Sequence, residues 1–227
     1  MKQIMTVMST MALFTFLSCN NDSEKKAEDA PATMAASSFQ VMMVQFPVSD
    51  YAKFNAVYNA NDSLRQAYSI SKYYLGRGLD DSNKVFVLER IAGVEQAKNF
   101  SEAPALKEAM GNGGVAGPPA FDFVNVVRND DSKIDYMDRI MVKHHVKDYA
   151  AWLKVYDEEG MKTRLDNGLM DRGIGRAIED SNMVYVVFAV TDMAKAKARV
   201  NSEELKKVMT DAGVEGPPEV VMYKVVE

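Results

Sequence analysis

From Phe39 onward, short apolar runs alternate with amphipathic stretches, and the whole alternation is met twice. Phe39 to Phe46 and Arg139 to Val146 are rich in Val, Met and Ile and predict a first strand in each half. Asp50 and Asp148 suit helix N-caps. Behind them Tyr51, Phe54 and Val57, then Tyr149, Trp152 and Val155, recur on one helical face. A short segment around Gly76 or Gly175, a turn at Asp81-Ser82-Asn83 or Asp180-Ser181-Asn182, and the runs Val85 to Leu88 or Val184 to Val187 predict a β-hairpin. A second helix is expected from about Val94 to Met110 and from Asp192 to Met209, with Asn201 and Glu204 as a capping box for the latter's later half. Gly114 or Gly213 and a Gly-Pro-Pro run stop it, and Phe121 to Val127 or Val220 to Val226 supply a last strand.

The two halves share residues as well as pattern. Val48-Ser49-Asp50-Tyr51-Ala52 returns as Val146-Lys147-Asp148-Tyr149-Ala150, and residues 73 to 128 against 172 to 227 give 19 identities in 56 positions without a gap. Such self-similarity indicates an internal repeat. The order β-α-β-β-α-β is the ferredoxin-like split unit, with helices on one face of an antiparallel sheet. Two copies can hide the remaining sheet faces against each other as an intramolecular pseudo-dimer. The expected fold class is therefore α+β, two tandem ferredoxin-like repeats packed sheet to sheet as an intramolecular α/β barrel, with repeat 1 over residues 39–128, a linker over 129–137 and repeat 2 over 138–227. A monomer is expected to be complete in itself.

Ahead of the repeats, Lys2 and the mostly apolar run Ile4 to Leu17 read as a secretory signal over residues 1–18, too short for a comfortable membrane span. Phe16-Leu17-Ser18-Cys19 resembles a bacterial lipoprotein box, with Phe16 where Leu is more usual. The resemblance implies lipidation of Cys19, anchoring of the chain to a bacterial membrane, the outer membrane by expectation, and a folded part outside the cytoplasm. Cys19 is the sole cysteine, so an intrachain disulfide is excluded. Residues 19–38 are poor in large apolar side chains and are expected to be a flexible tether. The formal charge of −5 becomes 26 minus 32, or −6, once Lys2 leaves with the signal; such an acidic chain without a basic stripe argues against a nucleic-acid partner.

The pattern His144-x-Val146-x-Asp148-Tyr149-x-x-Trp152, then Arg164, Gly-Arg before Asp-Ser-Asn, Ala-Lys, and Gly-Val-x-Gly-Pro-Pro resembles the dimeric α/β-barrel superfamily. Within it, the pattern looks like the small antibiotic-biosynthesis-monooxygenase-like and cyclase-like proteins of bacteria. That superfamily includes cofactor-free oxygenases, haem-degrading enzymes and proteins of unknown role, so the resemblance specifies fold more than activity. The second copy matches better, because the first has Phe46 in place of His144 and Phe54 in place of Trp152.

Candidate chemistry is sparse. His144 and His145 are the only histidines, and as neighbours in a strand they face opposite ways, so they cannot chelate one metal together. His144, at the family's histidine position, is the candidate catalytic or hydrogen-bonding group; the competing expectation is a polar strand end near the surface. Arg77 and Arg176, like Arg65 and Arg164, recur at matching places. Arg77, Arg164 and Arg176 are candidate ligand-binding guanidiniums, or structural partners of residues such as Asp81 and Asp180. Trp152 and Tyr185, with Tyr149 and Tyr156, suit the wall of an apolar pocket or an ordinary core. Neither a nucleotide fingerprint nor a standard hydrolase or zinc motif occurs, and no metal site or cofactor is expected. The expected function is binding of a small apolar or aromatic molecule, with a cofactor-independent monooxygenase in repeat 2 and an envelope interaction module as alternatives.

Overall fold

A computed structural model describes residues 33–226. The expected signal, Cys19 and most of the tether lie outside the described residues. Eight strands and seven helices follow in the order β1 (Ala36–Pro47), α1 (Tyr51–Ala60), α2 (Asp62–Ala67), β2 (Ile70–Gly78), β3 (Lys84–Ile91), α3 (Val94–Glu102), α4 (Pro104–Asn112) and β4 (Ala120–Asn129). The second half continues with β5 (Asp138–Val146), α5 (Tyr149–Asp166), β6 (Leu169–Ala177), β7 (Met183–Val190), α6 (Met193–Val200), α7 (Glu203–Asp211) and β8 (Val214–Val225).

The strands form one closed antiparallel barrel in the order β1-β3-β2-β8-β5-β7-β6-β4. The expectation was two repeats packed sheet to sheet as an intramolecular α/β barrel, and a barrel is what forms. The two four-strand sets join edge to edge, through β2–β8 and β4–β6, which removes the unpaired edges that separate sheets would expose. Strand alternation then sorts the apolar residues into three cores. Met42, Phe46 and Val85 lie between the first-half strands and α1 to α4; Ile140, Val146 and Val184 lie between the second-half strands and α5 to α7; Met141, Tyr185 and Tyr223 face the barrel interior.

Several local expectations are corrected. Strand β1 begins before Phe39, and Met34 is buried in the second-half core, so order extends back into the segment read as tether. Each expected second helix is broken in two. Pro104 opens α4, because proline is accepted in a first helical turn but not in a helix interior. Between α6 and α7 the cap is Ser202, whose hydroxyl accepts from the Leu205 amide, in place of the expected Asn201–Glu204 box. Strand β8 starts at Val214 and carries the Gly-Pro-Pro run within it. The expected N-caps hold: the Asp50 and Asp148 carboxylates accept from the Lys53 and Ala151 amides. Helix α5 bends at Gly160, whose φ of 78° suits glycine, where the first half has two helices meeting at Asn61.

Candidate functional site

His144 is the only histidine on the outer face of β5, turned under α5, α6 and α7. It is 6% exposed, so the surface-end alternative is corrected. Its ring lies 5.5 Å from that of Trp152, which stacks in turn on Tyr149 and Tyr156. Neither His144 ring nitrogen has a hydrogen-bond partner among the described residues. Burial pushes the imidazole pKa down to about 4. His144 is therefore neutral near pH 7, one nitrogen a donor and the other an acceptor, and both unused. His145 points the other way, with Nδ1 2.8 Å from Glu215 and Nε2 3.3 Å from Asp180.

Beside His144 is a cavity of about 80 Å³ between the strands and the helices. Val142, Val186 and Phe188 form its sheet side and Val155, Leu205 and Met209 its helix side, with Trp152 and Tyr156 close to the imidazole. Its charged rim is an ordered chain of ion pairs. Arg164 grips Asp171 with two hydrogen bonds of 2.8 and 2.7 Å, donates to the Tyr156 carbonyl at 2.7 Å, and lies 3.7 Å over the Tyr156 ring. Glu159 accepts from Arg164 at 3.3 Å and from Arg199 at 2.7 Å, and Arg199 also reaches the exposed Glu204 at 3.2 Å. Burial opposes the Arg164 charge, but the Asp171 hydrogen bonds and the surrounding negative charge outweigh it and hold its pKa above the ordinary value. Burial, then the Asp171 carboxylate, pushes the Tyr156 phenol up. The Arg199 Nε, also buried, has no partner among the described residues.

The structure thus brings His144, Trp152 and Arg164 together. It does not bring Arg176, Arg77 or Tyr185 to them. Arg176 donates from Nε to the Ser181 carbonyl at 2.5 Å and Arg77 to the Ser82 carbonyl at 2.7 Å, each stacked on a tyrosine, Tyr149 or Tyr51. They tie down the hairpin turns through a carbonyl, not through Asp81 or Asp180. Tyr185 faces the barrel interior and donates to Asp122 at 2.9 Å.

Sequence reading missed Glu159, Asp171 and Arg199. The available signal was a charged residue inside an apolar pattern: Asp171 two places into the strand after Leu169, and Arg199 on the buried face of Ala196. Among the described residues, no group of three or more His, Cys, Asp or Glu could hold a metal ion. No helix there is long and apolar enough to cross a membrane.

No family model matches the chain, and no curated protein does. Solved structures do. An anthrone oxidase-like protein matches with a TM-score of 0.57 at 12% identity, over 86% of this chain and 94% of that one. A haem-binding protein from Thermus thermophilus matches at 0.50 and 14%, over 87% and 95%. A candidate monooxygenase from Lactobacillus acidophilus matches at 0.50 and 12%, over 82% and 94%. The likeness is one of fold. It runs through both halves of the barrel.

Proposed function

We propose that the second half of this barrel binds a small apolar or aromatic molecule beside Trp152, and that His144 recognises it through a hydrogen bond. The observation that carries this reading is the imidazole itself: buried, with both nitrogens unpartnered, beside a cavity. Leaving a buried polar group unsatisfied costs about 1–3 kcal/mol. The matching position in the first half holds Phe46, which packs on Phe54 at 5.3 Å at no such cost. A ligand hydroxyl or carbonyl would complete the hydrogen bonding that the protein leaves open.

A cofactor-independent oxygenase is the second reading, favoured by the aromatic, largely apolar walls and by the oxidase-like and monooxygenase-like neighbours. An imidazole with a pKa of about 4 is a weak general base at neutral pH, so His144 is better suited to orienting a substrate than to deprotonating it. Haem does not fit. A cavity of about 80 Å³ lies well below even the ~300–1,000 Å³ of pockets for drug-sized ligands. Native mass spectrometry of the purified protein should show a copurifying small molecule that is lost in His144→Phe. Oxygen consumption with phenols separates the two readings: turnover that falls with His144→Ala supports the enzyme, and binding without turnover supports the carrier.

Lipidation of Cys19 would hold the barrel at the outer surface of a bacterial membrane, and metabolic labelling with palmitate should mark the native protein but not Cys19→Ala. The matching order of strands in the two halves and their shared residues support descent by duplication, so that one chain supplies both halves of a barrel and functions as a monomer.

A further inference from the structure

The barrel interior holds a cavity of about 230 Å³, separate from the site under the second-half helices. It exists because the two halves depart from each other there. On one side Tyr74 and Tyr223 fill the interior, their hydroxyls 2.7 Å apart and their rings stacked. The matching positions on the other side are Gly173 and Val124, which leave the space empty of side chain. The cavity walls are otherwise apolar, with Met43, Leu88, Met141 and Val187 among them.

The polar lining lies at one end, where β4 finishes and β5 and β6 begin. Arg139 and Arg172 stand there at positions that are Val41 and Tyr73 in the first half. Arg172 is committed to Asp130 at 3.1 Å and to the Ser132 carbonyl at 2.8 Å. Arg139 is not so committed. Its Nη1 donates to the carbonyls of Tyr136 at 2.7 Å and Asp138 at 3.1 Å, which leaves Nε and Nη2 without a partner among the described residues. It makes no ion pair there with a carboxylate, although Asp138 is adjacent and Asp130 and Asp131 edge the same cavity. Burial holds its pKa below the ordinary value, helped by the nearby Arg172 and opposed by the Tyr223 and Tyr74 phenols.

A half-buried guanidinium with free donors at the end of an apolar chamber has the chemistry of a carboxylate site, since arginine offers paired N–H groups to two oxygens. We propose that the barrel interior is a second ligand site, taking a small amphiphile whose carboxylate rests on Arg139 and whose short apolar tail occupies the space opposite Tyr74 and Tyr223. The cavity is below the ~300–1,000 Å³ of drug-sized pockets, which limits the tail to a short acyl chain or a single ring.

Isothermal titration of the full folded protein with octanoate, methyl octanoate and octanol tests this. Octanoate is expected to bind saturably and at least about tenfold more tightly than its methyl ester, a comparison that needs no variant. Arg139→Met should erase that preference while octanol binding persists, and Val187→Phe, which fills the chamber, should abolish binding of all three. Absence of saturable octanoate binding overturns the proposal. So does equal affinity for acid and ester, or octanoate binding that survives Val187→Phe, which would place it elsewhere on the molecule.

Discussion

Arg65 in the first half and Arg164 in the second are buried at matching places beneath the helices, and the two halves neutralise them differently. In the second half Arg164 is held by Asp171 on β6; in the first, Arg65 lies 3.4 Å from Glu89 on β3. The cross-strand partner of Glu89 is Lys72, and that of Asp171 is Phe188, at matching places in the two hairpins. The acid has thus changed strands across one pair of facing positions while the arginine stayed. What a buried cation requires is a carboxylate within reach, and either strand can present it. The aromatic layer differs in the opposite sense: Phe46, Phe54 and Phe100 pack the first half, where the second has His144, Trp152 and Arg199. Both halves keep a small cavity in this layer, about 60 Å³ in the first and about 80 Å³ in the second, and the second places an unpartnered imidazole beside it where the first has a phenyl ring.

The comparison breaks most readily at the ion pairs. Asp171→Asn should cost about 3–5 kcal/mol in urea denaturation, because it strips the bidentate partner from a buried guanidinium. Glu89→Gln should cost less than half as much. Burial pushes the Glu89 carboxyl up to about 7, against the pull of its hydrogen bond from Tyr58 and of the Arg65 charge, so its charged form is already disfavoured. Equal losses would show that the two pairs are energetically interchangeable.

Acid separates the halves next. His144 has a pKa of about 4 when folded against 6.5 when exposed, so between these values the unfolded chain binds the proton more readily. Its contribution is complete above about pH 6.5 and is lost as the pH falls through 4. Glu89, raised from 4.5 to about 7, runs the other way: its contribution is complete below 4.5 and is lost as the pH rises through 7. The stability difference between His144→Phe and the native protein should therefore widen in favour of the variant by about 3 kcal/mol from pH 7 to pH 4. A difference independent of pH would refute the buried neutral imidazole.

At pH 7 itself, His144→Phe should stabilise the protein by about 1–2 kcal/mol, since it removes an unsatisfied polar group and installs the residue that the first half uses. Destabilisation would mean that the imidazole has a partner in solution. A comparable effect is expected at the helix break: Gly160→Ala should cost about 1–2 kcal/mol through its positive φ, and Asn61→Ala, at a φ of −101°, less than that. Equal costs would indicate that the two breaks bear the same strain.

Much of the fold was legible because strand and helix periodicities, caps and Gly-Pro-Pro breaks are local signals, and because they occur twice. The barrel came from the resemblance, but the edge pairings that close it did not, since a pair such as Gly76 with Val225 joins residues far apart in sequence. Of the candidate site, His144, Trp152 and Arg164 could be read from their positions. Arg77 and Arg176 misled, because a repeated arginine beside a hairpin turn looks the same in sequence whether it meets a ligand or a backbone carbonyl. Asp171 and Arg199 escaped notice because they are differences between the halves, and attention to similarity passes over them.

The central claim is that the second half keeps its polar layer for a ligand. Trp152 is the sole tryptophan and sits against His144, so its fluorescence reports on this cavity alone. Titration with a panel of small phenols should give saturable quenching in the native protein and at least about tenfold weaker binding in His144→Phe. Affinities unchanged by that substitution, or no saturable response to any member of the panel, would contradict the account.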